Sequence, residues 1–204
     1  MQSSPCLLDE HIREALKRIL EEQDSTAAII DEMPLLRGRG RADLAFVNGR
    51  LCGFEIKSEA DSLIRLGSQA PNYEAVFEFN TVVAAHKHLR LAKERLPRTW
   101  GIVEAGLKDG KTILRWHRHA TRNHNLSNAA LVRILWKNEC LSILRKRGVH
   151  VCSNAPIVAV WALLESMNTR QLCDGVREAL KRRHAKSAVQ QTLYGDSHTT
   201  VAIE

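Results

Sequence analysis

The chain has 204 residues and carries 30 Lys and Arg against 23 Asp and Glu, a net charge of +7. Its 44% hydrophobic and 26% charged content describes a globular chain, not a disordered one, and no apolar run reaches the ~18 residues of a membrane helix. The five cysteines are scattered with no Cys-x-x-Cys pair, which argues against a disulfide framework or a cysteine zinc site and points to the reducing cytoplasm.

The opening residues show no basic stretch followed by an apolar one, so no signal peptide is expected. Apolar residues at helical spacing (Leu8, Ile12, Leu16, Ile19, Leu20) predict a first helix over 8–22. Residues 27–33 form a short apolar run, a strand or a continuation of that helix, closed by Pro34. Arg37-Gly38-Arg39-Gly40 reads as a basic loop. Residues 41–48 and 51–58 read as a β-hairpin about Asn48-Gly49. A helical segment follows over 62–79, with Gly67 and Pro71 expected to break or kink it. Strands are expected at 81–85, 100–105 and 112–116, with a mostly helical stretch over 84–96.

Beyond residue 120 the periodicity is helical. Ser127 caps a helix expected to reach Arg147 and stop at Gly148; further helices cover 156–167 and 169–185, the latter behind an Asn168 cap. Charge divides unevenly: residues 1–100 hold 14 basic and 15 acidic side chains, and residues 101–204 hold 16 and 8. The reading is an α/β core over 1–120, a basic helical region over 121–190 and a polar tail over 191–204 that frays beyond Lys186. A basic half joined to a carboxylate-bearing half suits a nucleic-acid partner; a solvated basic surface is the plainer alternative.

The hairpin carries the chemical signal. Side chains alternate across a strand, so Cys52, Phe54 and Ile56 share one face and Gly53, Glu55 and Lys57 the other. On the first strand Leu44 and Phe46 lie opposite Asp43. If the apolar faces coincide, Asp43, Glu55 and Lys57 converge. That requires an odd-length loop, such as 47–49 with Gly49 left-handed, in place of the two-residue turn that Asn-Gly favours. Two carboxylates and a lysine so placed suit metal-assisted phosphodiester hydrolysis: the carboxylates hold a hard cation, and the lysine serves the attacking water. The plain reading is a surface Glu–Lys pair of small energetic weight.

Asp43 followed by Glu55-Ile56-Lys57 resembles the signature of the PD-(D/E)XK nuclease superfamily. Gln69 and Tyr73 match the Gln-x-x-x-Tyr motif of its exonuclease-like members, and residues 31–88 are similar to an uncharacterised bacterial branch of it. The resemblance implies a restriction-endonuclease-like mixed sheet flanked by helices. It implies Mg²⁺, replaceable by Mn²⁺, on Asp43, Glu55 and the Ile56 carbonyl, with Lys57 catalytic. Glu32 matches the upstream acidic position, with Glu10 and Glu14 competing for it. Gln69 and Tyr73 then line the site and contact DNA, although Pro71 departs from a regular helix between them.

Arg37, Arg39 and Arg41 flank the carboxylates and suit DNA-backbone contact, and Arg65, just before the Gln-x-x-x-Tyr motif, is expected to contact nucleic acid with them. The pairs His86/His88 and His117/His119 have no carboxylate at metal spacing in the sequence, and phosphate contact or a solvated face suits them better than zinc. The clusters 145–147 and 181–183 suit DNA or a helix C-terminus equally. Trp136 and Trp161 fall on apolar helix faces and are expected in the core. The resulting expectation is a Mg²⁺-dependent deoxyribonuclease, with a homodimer or a targeting protein as further partners. The rivals are a non-catalytic nucleic-acid-binding or assembly module on the same fold, and the same chemistry on RNA.

Overall fold

The structure is a computed structural model that describes residues 7–194. A six-stranded mixed sheet runs in sequence order: β1 (Ala28–Leu35), β2 (Gly40–Val47), β3 (Leu51–Lys57), β4 (Phe79–Ala85), β5 (Gly101–Lys108) and β6 (Lys111–Arg118). The β3–β4 and β4–β5 pairs are parallel and the other three are antiparallel. Parallel neighbours need a crossover, supplied by α2 (Leu66–Glu74) and α3 (Leu89–Arg95).

Strand alternation sends the sheet's two faces into different cores. Leu44, Phe46, Phe54, Ile56, Val83 and Val103 pack beneath Ile12, Leu16 and Leu20 of α1 (Asp9–Gln23). The opposite face meets α2, α3 and the C-terminal helices in one larger cluster that includes Tyr73, Phe77, Trp100, Leu131, Leu164 and Leu180. The helices after residue 120 therefore share a core with the sheet. Gly53 makes this possible beneath α2: a Cβ there would lie 2.4 Å from the Phe77 ring.

The hairpin register settles which strand face the carboxylates occupy. Val47 pairs with Leu51 and Leu44 with Phe54, so the loop is the odd-length 48–50. Asn48 Oδ1 accepts the Arg50 N–H at 2.9 Å, an Asx-type closure. Gly49 is not left-handed, contrary to expectation; the asparagine side chain closes the turn instead.

The C-terminal half departs further from the sequence reading. The helix expected over 127–147 is two helices, α4 (Asn128–Arg133) and α5 (Lys137–Lys146). Ser127 caps the first. The break is stabilised from outside: Glu139 accepts the Trp136 N–H at 2.7 Å, and Arg183 donates to the Ile134 carbonyl at 3.1 Å and to Glu139. Trp136 is 57% exposed, not core, with Arg183 stacked on it. Trp161 is buried as expected.

After α6 (Ile157–Glu165), α7 runs Thr169–Tyr194, past the fraying point expected at Lys186. The last part of the expected polar tail, 195–204, lies outside the described residues. Among the described residues, no helix is long and apolar enough to cross a membrane.

Candidate functional site

A cleft of about 820 Å³ opens where the N-terminus of α1, the 39–41 turn, the end of β3 and α2 meet. It is lined by Asp43, Glu55, Ile56, Lys57, Glu32, Arg39, Arg41, Arg65, Gln69 and Tyr73. Of the residues singled out from sequence, the structure gathers all of these and leaves Arg37 outside. Glu10 and Glu14 are exposed on α1 and do not line it.

Inside the cleft the carboxylates are engaged by neighbouring side chains and backbone. The Tyr73 hydroxyl donates to Glu55 Oε2 at 2.5 Å and accepts the Asp43 N–H at 3.1 Å, clamping β2 to β3. Asp43 Oδ2 accepts the Ile56 N–H at 2.7 Å. Lys57 Nζ lies 2.6 Å from Glu55 Oε1, an ion pair at an angle that makes no hydrogen bond, and Glu55 is fully buried. Glu32 is spanned by Arg13 at 2.8 Å and Arg41 at 2.5 Å. Arg13 also reaches the Asp43 carbonyl.

This crowding shifts titration. Burial, and then the Glu55 charge, push the Asp43 carboxyl up to about 7, against the opposing pull of the Ile56 N–H, Lys57 and Arg13. Burial and the same two carboxylates hold the Tyr73 phenol protonated well beyond its usual range.

Pro71 does not separate Gln69 from Tyr73. Both lie in α2 and both line the cleft, and helix bonding resumes with the Ala75 N–H to the Pro71 carbonyl at 3.0 Å. Gln69 Oε1 is buried with no hydrogen-bond partner.

Asp43, Glu55 and Ile56, the donors that the nuclease resemblance gave to Mg²⁺, line the cleft together. Among the described residues, no group of three or more His, Cys, Asp or Glu side chains is arranged to hold a metal ion. The Lys57 ammonium faces Glu55, and guanidiniums occupy Glu32, the third carboxylate expected there.

A carboxylate missed in the sequence joins the two histidine motifs. Glu104 on β5 meets His86 Nδ1 at 2.6 Å, His117 Nε2 at 2.7 Å and Arg115. Those histidines and Arg115 hold it down at about 2. Strand pairing between β5 and β6, with Glu104 opposite Arg115, is the signal that would have found it. His88 is instead buried, its Nε2 3.0 Å from the Ser58 carbonyl.

The clamp carries a direct prediction. Tyr73→Phe leaves the buried Glu55 oxygen and the Asp43 N–H without this partner, so it should cost ~1–3 kcal/mol of unfolding free energy, the penalty for unsatisfied buried groups. Urea denaturation measures it; an unchanged midpoint would show that the clamp contributes nothing.

The fold and site together define an α/β protein whose central carboxylates are absorbed into internal pairing, beside a cleft with arginines on its rim. The family profile of bacteriophage P4 protein cII matches residues 8–199, and the chain belongs to that family. It is 29% identical over 164 residues to Protein cII of Enterobacteria phage P4, a match that covers 80% of this chain and 62% of that protein. The chain thus matches less than two thirds of its relative's length. No solved structure matches.

This membership corrects the sequence reading at its centre. The family is that of phage P4 protein cII and not the PD-(D/E)XK nuclease superfamily, so the expectation of a deoxyribonuclease falls. The nuclease, hydrolase, endonuclease and metal-binding descriptions fall with it. Asp-then-Glu-x-Lys is short enough to arise from a well-packed hairpin, where the Tyr73 hydroxyl partners the buried Glu55 carboxylate.

Proposed function

We propose that the chain is a non-catalytic nucleic-acid-binding protein that holds the DNA backbone at the cleft. The observation that supports this reading is the pair of exposed arginines, Arg39 and Arg65, on the cleft rim. No ion pair engages either side chain among the described residues. Guanidiniums left free beside a concave polar surface suit phosphate oxygens. By contrast, several cations of the C-terminal clusters are committed internally: Lys146 and Arg182 to Glu178, and Arg183 to Glu139.

In this reading Asp43, Glu55, Lys57 and Tyr73 hold the wall rigid, and the helix–three strands–helix–strand order is a restriction-endonuclease-like frame used without its chemistry. Fold and function separate readily in this way. A homodimer or a partner protein would extend the surface.

Fluorescence anisotropy against labelled duplex, single-stranded DNA and RNA over a salt series tests the proposal. Affinity for DNA should fall with salt, and the Arg39→Ala/Arg65→Ala double variant should flatten the log–log slope by ~1.8, that is ~0.9 per lost phosphate contact. DNA should remain uncut with Mg²⁺ or EDTA. Salt-independent binding, or an RNA preference, would overturn the DNA reading.

A further inference from the structure

A second cavity, of about 760 Å³, lies next to the first and shares Arg39 with it. Leu36, Ala75, Ala129, Ala130 and the buried Trp161 give it mainly apolar walls. Arg37, which the sequence reading placed with the carboxylates, lies here instead. Its guanidinium sits 4.5 Å from the Trp161 ring centre, and that of Arg133 sits 5.4 Å from the same ring. Arg133 is tied to Glu165 at 3.1 Å, whereas no ion pair engages Arg37 among the described residues. The backbone turns left-handed at Leu36, Arg37 and Gly38 in succession, a costly conformation for the first two residues, and the turn carries Arg37 to the tryptophan.

We propose that this second cavity takes one unpaired nucleobase of the DNA whose backbone lies in the first, an inference that rests on the DNA-binding reading. The cavity is in the size range of small-molecule sites, so a nucleobase enters it with room to spare. The apolar walls would bury the faces of a base, and a guanidinium plane offers it a stacking partner. Arg39 supplies the continuity: a strand whose phosphate it holds can pass its next base into the adjoining cavity. A paired base must first be unstacked, which costs least where it is mismatched or has no partner. The protein should therefore favour DNA with an unpaired base over a full duplex.

The full chain is titrated against a fully paired duplex and against the same duplex with one unpaired base, at one salt concentration. Binding to the second should be ~10-fold tighter. Ala129→Leu, which intrudes on the cavity wall, and Arg37→Ala, which removes the stacking plane, should each lower that ratio by ~3-fold or more. Ala129→Leu should leave paired-duplex affinity unchanged within ~2-fold. Circular dichroism of each variant establishes that it is folded. Salt-dependent duplex binding without a preference, or a preference that survives both variants, overturns this inference alone. Absence of DNA binding in the wild type overturns it together with the reading beneath it.

Discussion

Glu78→Ala should destabilise the protein by ~3–5 kcal/mol, the range for stranding the partners of a buried ion pair. Glu78 is 3% exposed at the entrance to β4. Its carboxylate accepts the Leu51 N–H at 3.0 Å from β3, takes Arg122 at 2.9 Å from the strand-to-helix connection, and pairs with Arg177 of α7. One side chain thus joins the central sheet to the last helix across 99 residues of sequence. Removing it leaves the largely buried Arg177 with Asp174 as its remaining carboxylate. Glu78→Gln, which keeps an acceptor but no charge, should cost less. Urea unfolding at pH 7 reads both; a loss below ~1 kcal/mol for the alanine variant would show that Arg177 and Arg122 find other partners at no cost.

How much of this was legible depends on the range of the contacts. The hairpin face could be read because burial of Leu44, Phe46, Phe54 and Ile56 demands one register, and that register puts Asp43 beside Glu55. The loop within it was less legible, because the Asx closure by Asn48 replaces a left-handed glycine. The break between α4 and α5 is invisible locally: Ile134, Leu135 and Trp136 continue an apolar pattern, and the Arg183 contact that stabilises the break comes from α7. The Glu104 cluster was hidden for the same reason, since His86, Glu104 and His117 meet only once β4, β5 and β6 align.

The mistaken function has a related cause. Asp43, Glu55 and Lys57 were correctly placed together, yet their chemistry depends on what else enters the space. Spacing showed two carboxylates and a lysine. It did not show that Tyr73 hydrogen-bonds to one carboxylate, or that Arg13 reaches from α1 to Glu32 and the Asp43 carbonyl. Tyr73 from α2 and Arg13 from α1 thus tie the trio into the elements around it.

This crowding has a measurable signature in pH. Asp43 rises from an ordinary value of 3.8 to about 7 in the folded protein, through burial first and the Glu55 charge second. A raised carboxyl favours the protonated folded state. Its contribution to stability is fully present below the unfolded value and is lost as pH climbs through the folded one, so the window is roughly pH 4 to 7. At ~1.4 kcal/mol for each pH unit that separates the folded from the unfolded value, the full loss is on the order of 4 kcal/mol, reduced by whatever relaxation Lys57 and Arg13 provide. Asp43→Asn keeps an oxygen to accept the Ile56 N–H and carries no charge. It should therefore match the wild type near pH 4, show a flatter profile, and exceed it by a few kcal/mol at pH 8. Urea midpoints for both proteins from pH 4 to 8 decide the matter: parallel curves would mean that Asp43 ionises in the fold as it does in the unfolded chain, and that the crowding around it carries no electrostatic cost.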